Sequence, residues 1–532
     1  MIRLTDLALP FDHADQDLID LILRRLMVQR DQLISFNVVR KSIDARHKSS
    51  ILAVYTIDAE VQDEPAILAA LSADPHIAPA PCTDYQLPAV ADLHNRRSPV
   101  IAGSGPCGLF AALILAQLGC KPILIERGKQ IASRVKDVHD FWRQGILDPE
   151  SNVLFGEGGA GTFSDGKLTT RIKDKHNRCG KVLRELVEAG APTNILSDAK
   201  PHIGTDNLVG VIKNIRTTII SLGGQVRFET KLTDIETADG KIAAAVVNDS
   251  ETIPTDTLVV ALGHSARDTF AMLHSRGITM TAKPFSLGVR IEHPQSAIDS
   301  ARYGRFADHP LLPPADYQLT CHCPNNRSAY TFCMCPGGAV IASASEAGTV
   351  VTNGMSRYLR NLPNANSALL VGVGPDDFDS AHPLAGIDFQ RKWEQKAFAL
   401  GGGDYYAPVQ LVGDFCSDRC SRSLGDVRPS YTPGTTLCDL AGCLPDFVVE
   451  TLRLAIPQMD TKLKGFASHD AVMTALESRS SSPVRILRDD TFQSAAVRGL
   501  YPAGEGAGYA GGIISAAVDG IKIAEAITSN RR

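Results

Sequence analysis

The first ninety-five residues alternate between two hydrophobic periods. From Leu18 to Met27 the apolar residues fall at helical spacing, with Leu18, Ile22 and Leu26 on one face and Ile19 and Leu23 beside them. Ile51–Ile57 reads as a strand and Glu64–Leu71 as a second helix. Together they predict a small α+β module over residues 1–95, with a ferredoxin-like arrangement as one way to close it. Pro79–Arg97 is rich in proline and polar residues and reads as a linker. From Ser98 the pattern becomes β-α-β and alternates strands with helices to about residue 270. It includes a helix over 208–222, a strand from Val226 to Thr230, and a hairpin of Leu232–Thr237 with Lys241–Val247 around Asp239-Gly240. Residues 276–474 are dense in Pro, Gly, Cys and Asn, with short strands at Phe285–Ile291 and Ala339–Ala344. They read as an α+β substrate-side domain inserted into the first fold. Residues 475–532 return to the earlier pattern. The expected class is α/β, with a split nucleotide-binding domain over 96–275 and 475–532.

A chain of 532 residues is too long for one hydrophobic core, and 44% apolar with 21% charged residues is ordinary for a globular protein. A net charge of -5 does not suit a general nucleic-acid or membrane-surface binder. The N-terminal stretch holding Arg24, Arg25, Arg30, Arg40, Lys41, Arg46 and Lys48 is the exception. It reads first as a solvated basic face, and second as an RNA contact. The start lacks a basic, then apolar leader, and the apolar run Leu109–Ala116 is too short to span a bilayer, so a cytoplasmic location is expected. In a reducing compartment the twelve cysteines are expected to be mostly free thiols rather than a disulfide framework.

The chemistry starts at Val100-Ile-Ala-Gly103-Ser-Gly105-Pro106-Cys-Gly108. A short apolar strand runs into three glycines, and a helix follows. Gly103 permits the tight turn, Gly105 lets backbone approach a pyrophosphate, and Gly108 lets helix and strand pack. The helix N-terminus at Pro106 offers free N–H groups to the phosphates. Glu126 ends the next strand, where it can accept from a ribose diol and would repel a 2′-phosphate. Arg127 follows it. A flavin or nicotinamide dinucleotide without the 2′-phosphate is therefore expected.

Three further segments carry a resemblance. Thr257-Leu-Val-Val-Ala261-Leu262-Gly263 and Leu500-Tyr-Pro-Ala-Gly504-Glu505-Gly506 resemble the later strand-turns of glutathione-reductase-like flavoproteins. Phe155-Gly-Glu-Gly-Gly159-Ala-Gly161-Thr162-Phe-Ser164-Asp165-Gly166-Lys167 resembles a family of bacterial FAD-dependent dehydrogenases. So do Tyr330–Gly338 and Ala475–Arg485, and the resemblance covers most of the chain. It implies a non-covalent FAD and a glutathione-reductase-like fold. Glu505 would bind the ribitol chain, where most relatives carry Asp. Gly159 to Lys167 would line the flavin. Gly511, Gly512 and Ile513 would open a helix aimed at the charge developing on the ring. Leu232, at the start of the hairpin, completes the expected binding set.

No second complete glycine fingerprint follows, so any NAD(P)H would dock transiently over the flavin. Lys167, Cys333 and Cys335 are the candidates for catalysis. If Cys333 and Cys335 lie on a strand, both point to one face. Cys321/Cys323 and Cys333/Cys335 each have one intervening residue where zinc pairs usually have two, so no metal is expected. His264 reads as a structural hydrogen-bonder rather than a base. The expected function is an FAD-dependent oxidoreductase acting on a small organic substrate. A flavin-dependent RNA- or cofactor-modifying enzyme and a non-catalytic flavin-binding regulator are the alternatives.

Overall fold

The computed structural model describes residues 1–82, 84–88 and 97–529; residues 83 and 89–96 of the expected linker lie outside them. The N-terminal module runs β-α-β-β-α-β through Ile2–Pro10, Asp15–Leu26, Leu33–Asp44, Leu52–Val61, Glu64–Ala70 and Ile77–Pro79. Its four strands are ordered second, third, first, fourth, all antiparallel, which is the ferredoxin-like order. Period-two alternation turns Ala53, Tyr55, Ile57, Ala59 and Val61 to one side. There they meet Leu18, Ile22 and Leu26 of the first helix. Each buried aliphatic side chain of this kind is worth about 1.5–3 kcal/mol. The module is not free-standing. Phe11, Ala45 and Ile51 belong to the main core of the molecule, and Phe11 meets Phe306 edge-on at 5.3 Å. Lys41 also exchanges backbone hydrogen bonds with Ser197 and Ala199.

The nucleotide-type domain is a five-stranded parallel sheet. Its order is Leu500–Pro502, Leu258–Val260, Val100–Ala102, Ile123–Ile125 and Gln225–Arg227. The outermost strand arrives only after the insertion, so the C-terminal segment completes the sheet. The helix Pro106–Gln117 is buried on nearly every side, which explains why its apolar pattern shows no preferred face. It packs backbone-close against the helix Ile513–Ser529. A Cβ on Gly520 would lie 2.2 Å from the Cys107 carbonyl oxygen.

The insertion holds a seven-stranded sheet around Phe285–Pro294. Its strand Val472–Glu477 runs across the boundary expected at residue 474. All six of its residues are buried, so no alternation marked where the strand should end. No helix among the described residues is long and apolar enough to cross a membrane. No disulfide joins any two of the twelve cysteines.

Candidate functional site

A cleft of about 1540 Å³, counted out to its open mouth, runs between the carboxyl ends of the parallel strands and the insertion. Ligands of open α/β sheets bind at this edge.

The glycines along the cleft divide by what a side chain would meet. Gly103 has φ +104°, and a Cβ there would sit 2.3 Å from the Ala261 carbonyl oxygen. On Gly108 it would sit 1.8 Å from the Gly103 oxygen, and on Gly504 2.8 Å from Cys107 Cβ. These three make the turns and close packing. Gly105 meets nothing nearer than Gly159 Cα at 3.9 Å, and Gly263 and Gly511 meet nothing within 4 Å. Gly105, Gly161, Gly263, Gly511 and Gly512 all line the cleft, leaving a cradle that side chains would fill; Gly159 lines it too, with φ +63° and a Cβ that would lie 2.9 Å from Gly105 Cα. Pro106 and Ile513, the first residues of the two paired helices, line it as well. Two helix N-termini therefore converge on one cavity. Leu232, Ala261 and Leu262 form part of the apolar wall, and Gly108 and Gly504 stand behind it.

Glu126 lines the cleft but is not the free acceptor expected from the sequence. Oε1 accepts from the Gly128 and Gly156 N–H groups, and Oε2 accepts from the Ser104 N–H and hydroxyl. Its roughly four acceptor positions are used. A ribose hydroxyl reaches it only by replacing Ser104 Oγ. Arg127 is clamped between Glu150 and Asp268, with its guanidinium 4.1 Å over the Phe155 ring.

Sequence reasoning missed Arg134. It lies on the apolar face of the helix Ile131–Gln144 with Ile131, Val138 and Phe141, and is wholly buried. Its guanidinium donates to the carbonyls of Asn152, Val153, Glu157 and Gly159, and so shapes the glycine-rich loop. A basic residue on an otherwise apolar helical face was the available signal.

Beyond Ser164, which lines the cleft, the loop turns away. Thr162 is engaged by Arg134, and Asp165 is gripped by Arg360 at 3.0 and 2.5 Å. Gly166 donates its N–H to Ser164 Oγ. Lys167 forms an isolated β-bridge with His202, and its Nζ lies 3.4 Å from Asp165. Thr162, Asp165, Gly166 and Lys167 are absent from the cleft wall, contrary to the expectation that they line a flavin.

The two cysteines do not share a face. A register shift falls between Phe332 and Cys335, and Cys333 takes φ +46°. The fully buried Arg290 donates to the Cys333 carbonyl at 3.0 Å, which holds that peptide inward. Cys333 faces the cleft and Cys335 is buried, its thiol pushed up to about 11 by desolvation.

The opposite wall holds residues not named as site candidates from the sequence, among them Ser343, Thr352 and Asn353 of the insertion and Glu477, Arg479 and Ser480 of the Ala475–Arg485 segment. Both charged members are matched in pairs. Arg290 holds Glu477 at 2.5 and 2.9 Å, and Glu394 takes two hydrogen bonds from Arg479 at 3.0 Å. Their partners are up to 187 residues away, which no local pattern reveals.

The loop at Gly504–Glu505 is fixed by Asp519, which accepts from the Gly504 N–H and from Arg488. Desolvation pushes the Glu505 carboxyl up to about 7, opposed by Lys283. The folded protein therefore keeps a proton there that the unfolded chain has released, and stability falls as pH rises from about 4.5 to 7. Between those pH values wild type should lose on the order of 1–3 kcal/mol more than Glu505→Gln in urea melts. Parallel pH profiles would refute this placement of the carboxyl.

Residues 284–480 match a family model described as FAD-dependent protein, C-terminal domain-like, and residues 1–60 match a domain of unknown function. A protein of Clostridium beijerinckii, described only as uncharacterized, is 49% identical over 527 residues, covering 99% of this chain and 98% of that one. Solved structures include L-proline dehydrogenase from P. horikoshii, at 11% identity, TM-score 0.38, and coverage of 82% of this chain and 94% of that one. Glycine oxidase from Bacillus cereus matches at 9% identity, TM-score 0.32, and coverage of 82% and 96%.

Proposed function

The chain belongs to the same family as the Clostridium beijerinckii protein, and we propose that it is an FAD-dependent oxidoreductase acting on a small organic molecule. The observation that carries this reading is the cradle of cavity-facing glycines on which two helix N-termini converge. The match of residues 284–480 to an FAD-dependent family supports it.

Gly105 and Gly159 let backbone come close to a bound pyrophosphate, and the Cys107 end of the helix Pro106–Gln117 adds N–H groups and the positive end of its dipole. Glu126 holds the turn and the glycine-rich loop together around that group. The N-terminus of Ile513–Ser529 faces developing negative charge, and Glu505 offers a carboxyl to a ribitol hydroxyl. When bound, FAD supplies the hydride and electron chemistry, while these residues set its position and water access. Phe332, Ser343, Thr352 and Asn353 form the insertion-side wall against which a substrate would rest. A nicotinamide donor would enter from the same mouth, because among the described residues one sheet carries the glycine fingerprint.

The RNA-directed alternative draws less support. The open face of the N-terminal sheet carries Arg3, Ser35, Asn37, Arg40, Thr56, Asp58 and Glu60 in register. Arg3 and Asp58 neutralise each other at 2.7 Å, and the face offers no aromatic platform on which bases could stack.

Anaerobic mixing of the flavin-loaded protein with NADH or NADPH tests the reaction class. Bleaching of the flavin absorbance by either donor, followed by recovery in air, is the expected result. If neither donor nor any of a panel of small organic substrates reduces a flavin that dithionite does reduce, the oxidoreductase reading fails in favour of a binder.

A further inference from the structure

His264 lines the cleft immediately after the Ala261–Gly263 turn. Gly506 packs against that turn so closely that a Cβ there would lie 2.3 Å from the Gly263 carbonyl oxygen. The imidazole thus sits beside the Glu505 loop, where the nucleotide domain meets the insertion.

The hydrogen bonds behind it fix more than its orientation. Glu394 is fully buried and takes two hydrogen bonds from Arg479, through Nε and Nη2 at 3.0 Å each. Of the three N–H groups that remain, the two on Nη1 go to Ser345 Oγ at 2.6 Å and Ser265 Oγ at 3.2 Å. A guanidinium can only donate, so Ser265 Oγ accepts there. The Ser265 hydroxyl is buried and has one proton, and among the described residues the group left to pair with that proton is His264 Nδ1 at 2.8 Å. A buried hydroxyl proton left unpaired would cost about 1–3 kcal/mol. Ser265 therefore donates to Nδ1, and the ring proton of a neutral His264 belongs on Nε2. No described residue pairs with Nε2, which is left to the cleft.

We propose that His264 is a tautomer-locked, uncharged N–H donor to an acceptor oxygen or ring nitrogen of the molecule held in the cleft, with Ser265, Arg479 and Glu394 as its positioning residues. The charged groups around it agree with a neutral ring. Burial holds its titration down to about 3, Arg479 and Arg267 add to that, and Glu394 opposes them. A ring in this state cannot serve as a general base near neutral pH, since the nitrogen that could take a proton is already bonded to Ser265. It can polarise a carbonyl without giving up its proton. Cofactor and substrate both carry such acceptors. The inference deepens the proposed reading of the cleft and depends on it only for the identity of the acceptor.

Long-range ¹H–¹⁵N NMR on the ring-labelled full chain without added flavin tests the locked state directly. His264 should remain in the neutral Nε2–H form from about pH 5 to 9, whereas an unperturbed ring titrates near about 6.5. Ser265→Ala should populate both tautomers, and Ser265→Thr should preserve one. A ring that titrates near 6.5, a dominant Nδ1–H form, or a tautomer indifferent to Ser265→Ala would overturn the proposal. FAD titration then locates the acceptor. Affinity weakened about tenfold in His264→Phe and restored in His264→Gln places it on the nucleotide, in keeping with the loss of one hydrogen bond. Unchanged FAD affinity in both variants, with flavin reduction slowed only in His264→Phe, places it on the substrate. If neither variant changes binding or reduction, His264 donates to nothing in the cleft and the proposal fails. A wild-type protein that binds no FAD would refute the proposed function while leaving the NMR result to stand alone.

Discussion

Gly105→Val should lower FAD affinity by about 100-fold or more while leaving the melting temperature within about 2 °C of wild type. The backbone at Gly105 has φ -70° and ψ -178°, an extended conformation open to any residue. A Cβ there meets only Gly159 Cα, at 3.9 Å, so the fold has room for it. What it fills is the cleft, at the point where backbone N–H groups must come within hydrogen-bonding distance of a phosphate. Losing two charge-assisted hydrogen bonds, each worth about 1.5–3 kcal/mol, accounts for the expected factor. Gly108→Ala supplies the contrast. Its Cβ would lie 1.8 Å from the Gly103 oxygen, so that variant should lose stability first and FAD binding as a consequence. Isothermal titration with FAD, beside thermal melts, separates the two. Equal FAD affinity in Gly105→Val and wild type would remove Gly105 from the binding surface.

Glu394→Ala should be among the most destabilising single changes in the chain, costing about 3–5 kcal/mol. Glu394 is fully buried and accepts from Arg267, Arg479 and the Ser478 hydroxyl. These cations hold its carboxyl far below the usual range against the cost of burial. Without it, Arg267 keeps Glu346 at 2.7 Å, and Arg479 keeps only the serine hydroxyls of 265 and 345. Both guanidiniums would then depend on the Glu346 carboxylate at the edge of the cluster, which Arg391 already holds with two hydrogen bonds at 3.0 Å. The expected cost corresponds to a melting temperature lower by roughly 6–20 °C. A loss below about 1 kcal/mol would show that water reaches the cluster and replaces the missing charge.

The legible parts of this molecule are those that short-range rules determine. The Gly103–Gly108 turn was readable because strand, turn and helix lie within about a dozen residues and each glycine has its own steric reason. The helix Ile513–Ser529 and the hairpin at Asp239-Gly240 were readable for the same reason. Glu126 was placed correctly at the strand end, but its saturation by Ser104, Gly128 and Gly156 depends on how a distant loop folds back. That loop is shaped by Arg134, whose four carbonyl partners follow it by 18 to 25 residues. The pairing of Cys333 with Cys335 failed because strand alternation assumes an unbroken ladder, and Arg290 holds the Cys333 carbonyl at a bulge. The insertion-side wall was least visible. Arg290 with Glu477, and Glu394 with Arg479, are buried pairs brought together by a sheet whose order bears little relation to the chain. Their charges look like surface residues in the sequence and lie in the interior of the fold.

The flavin content of the purified full-length protein tests the central claim most directly. Heat denaturation of wild type, after incubation with FAD and removal of the excess, should release FAD at close to one equivalent per chain, and the Gly105→Val protein treated alongside should release almost none. A folded wild-type protein that retains no FAD would contradict the assignment of the cleft.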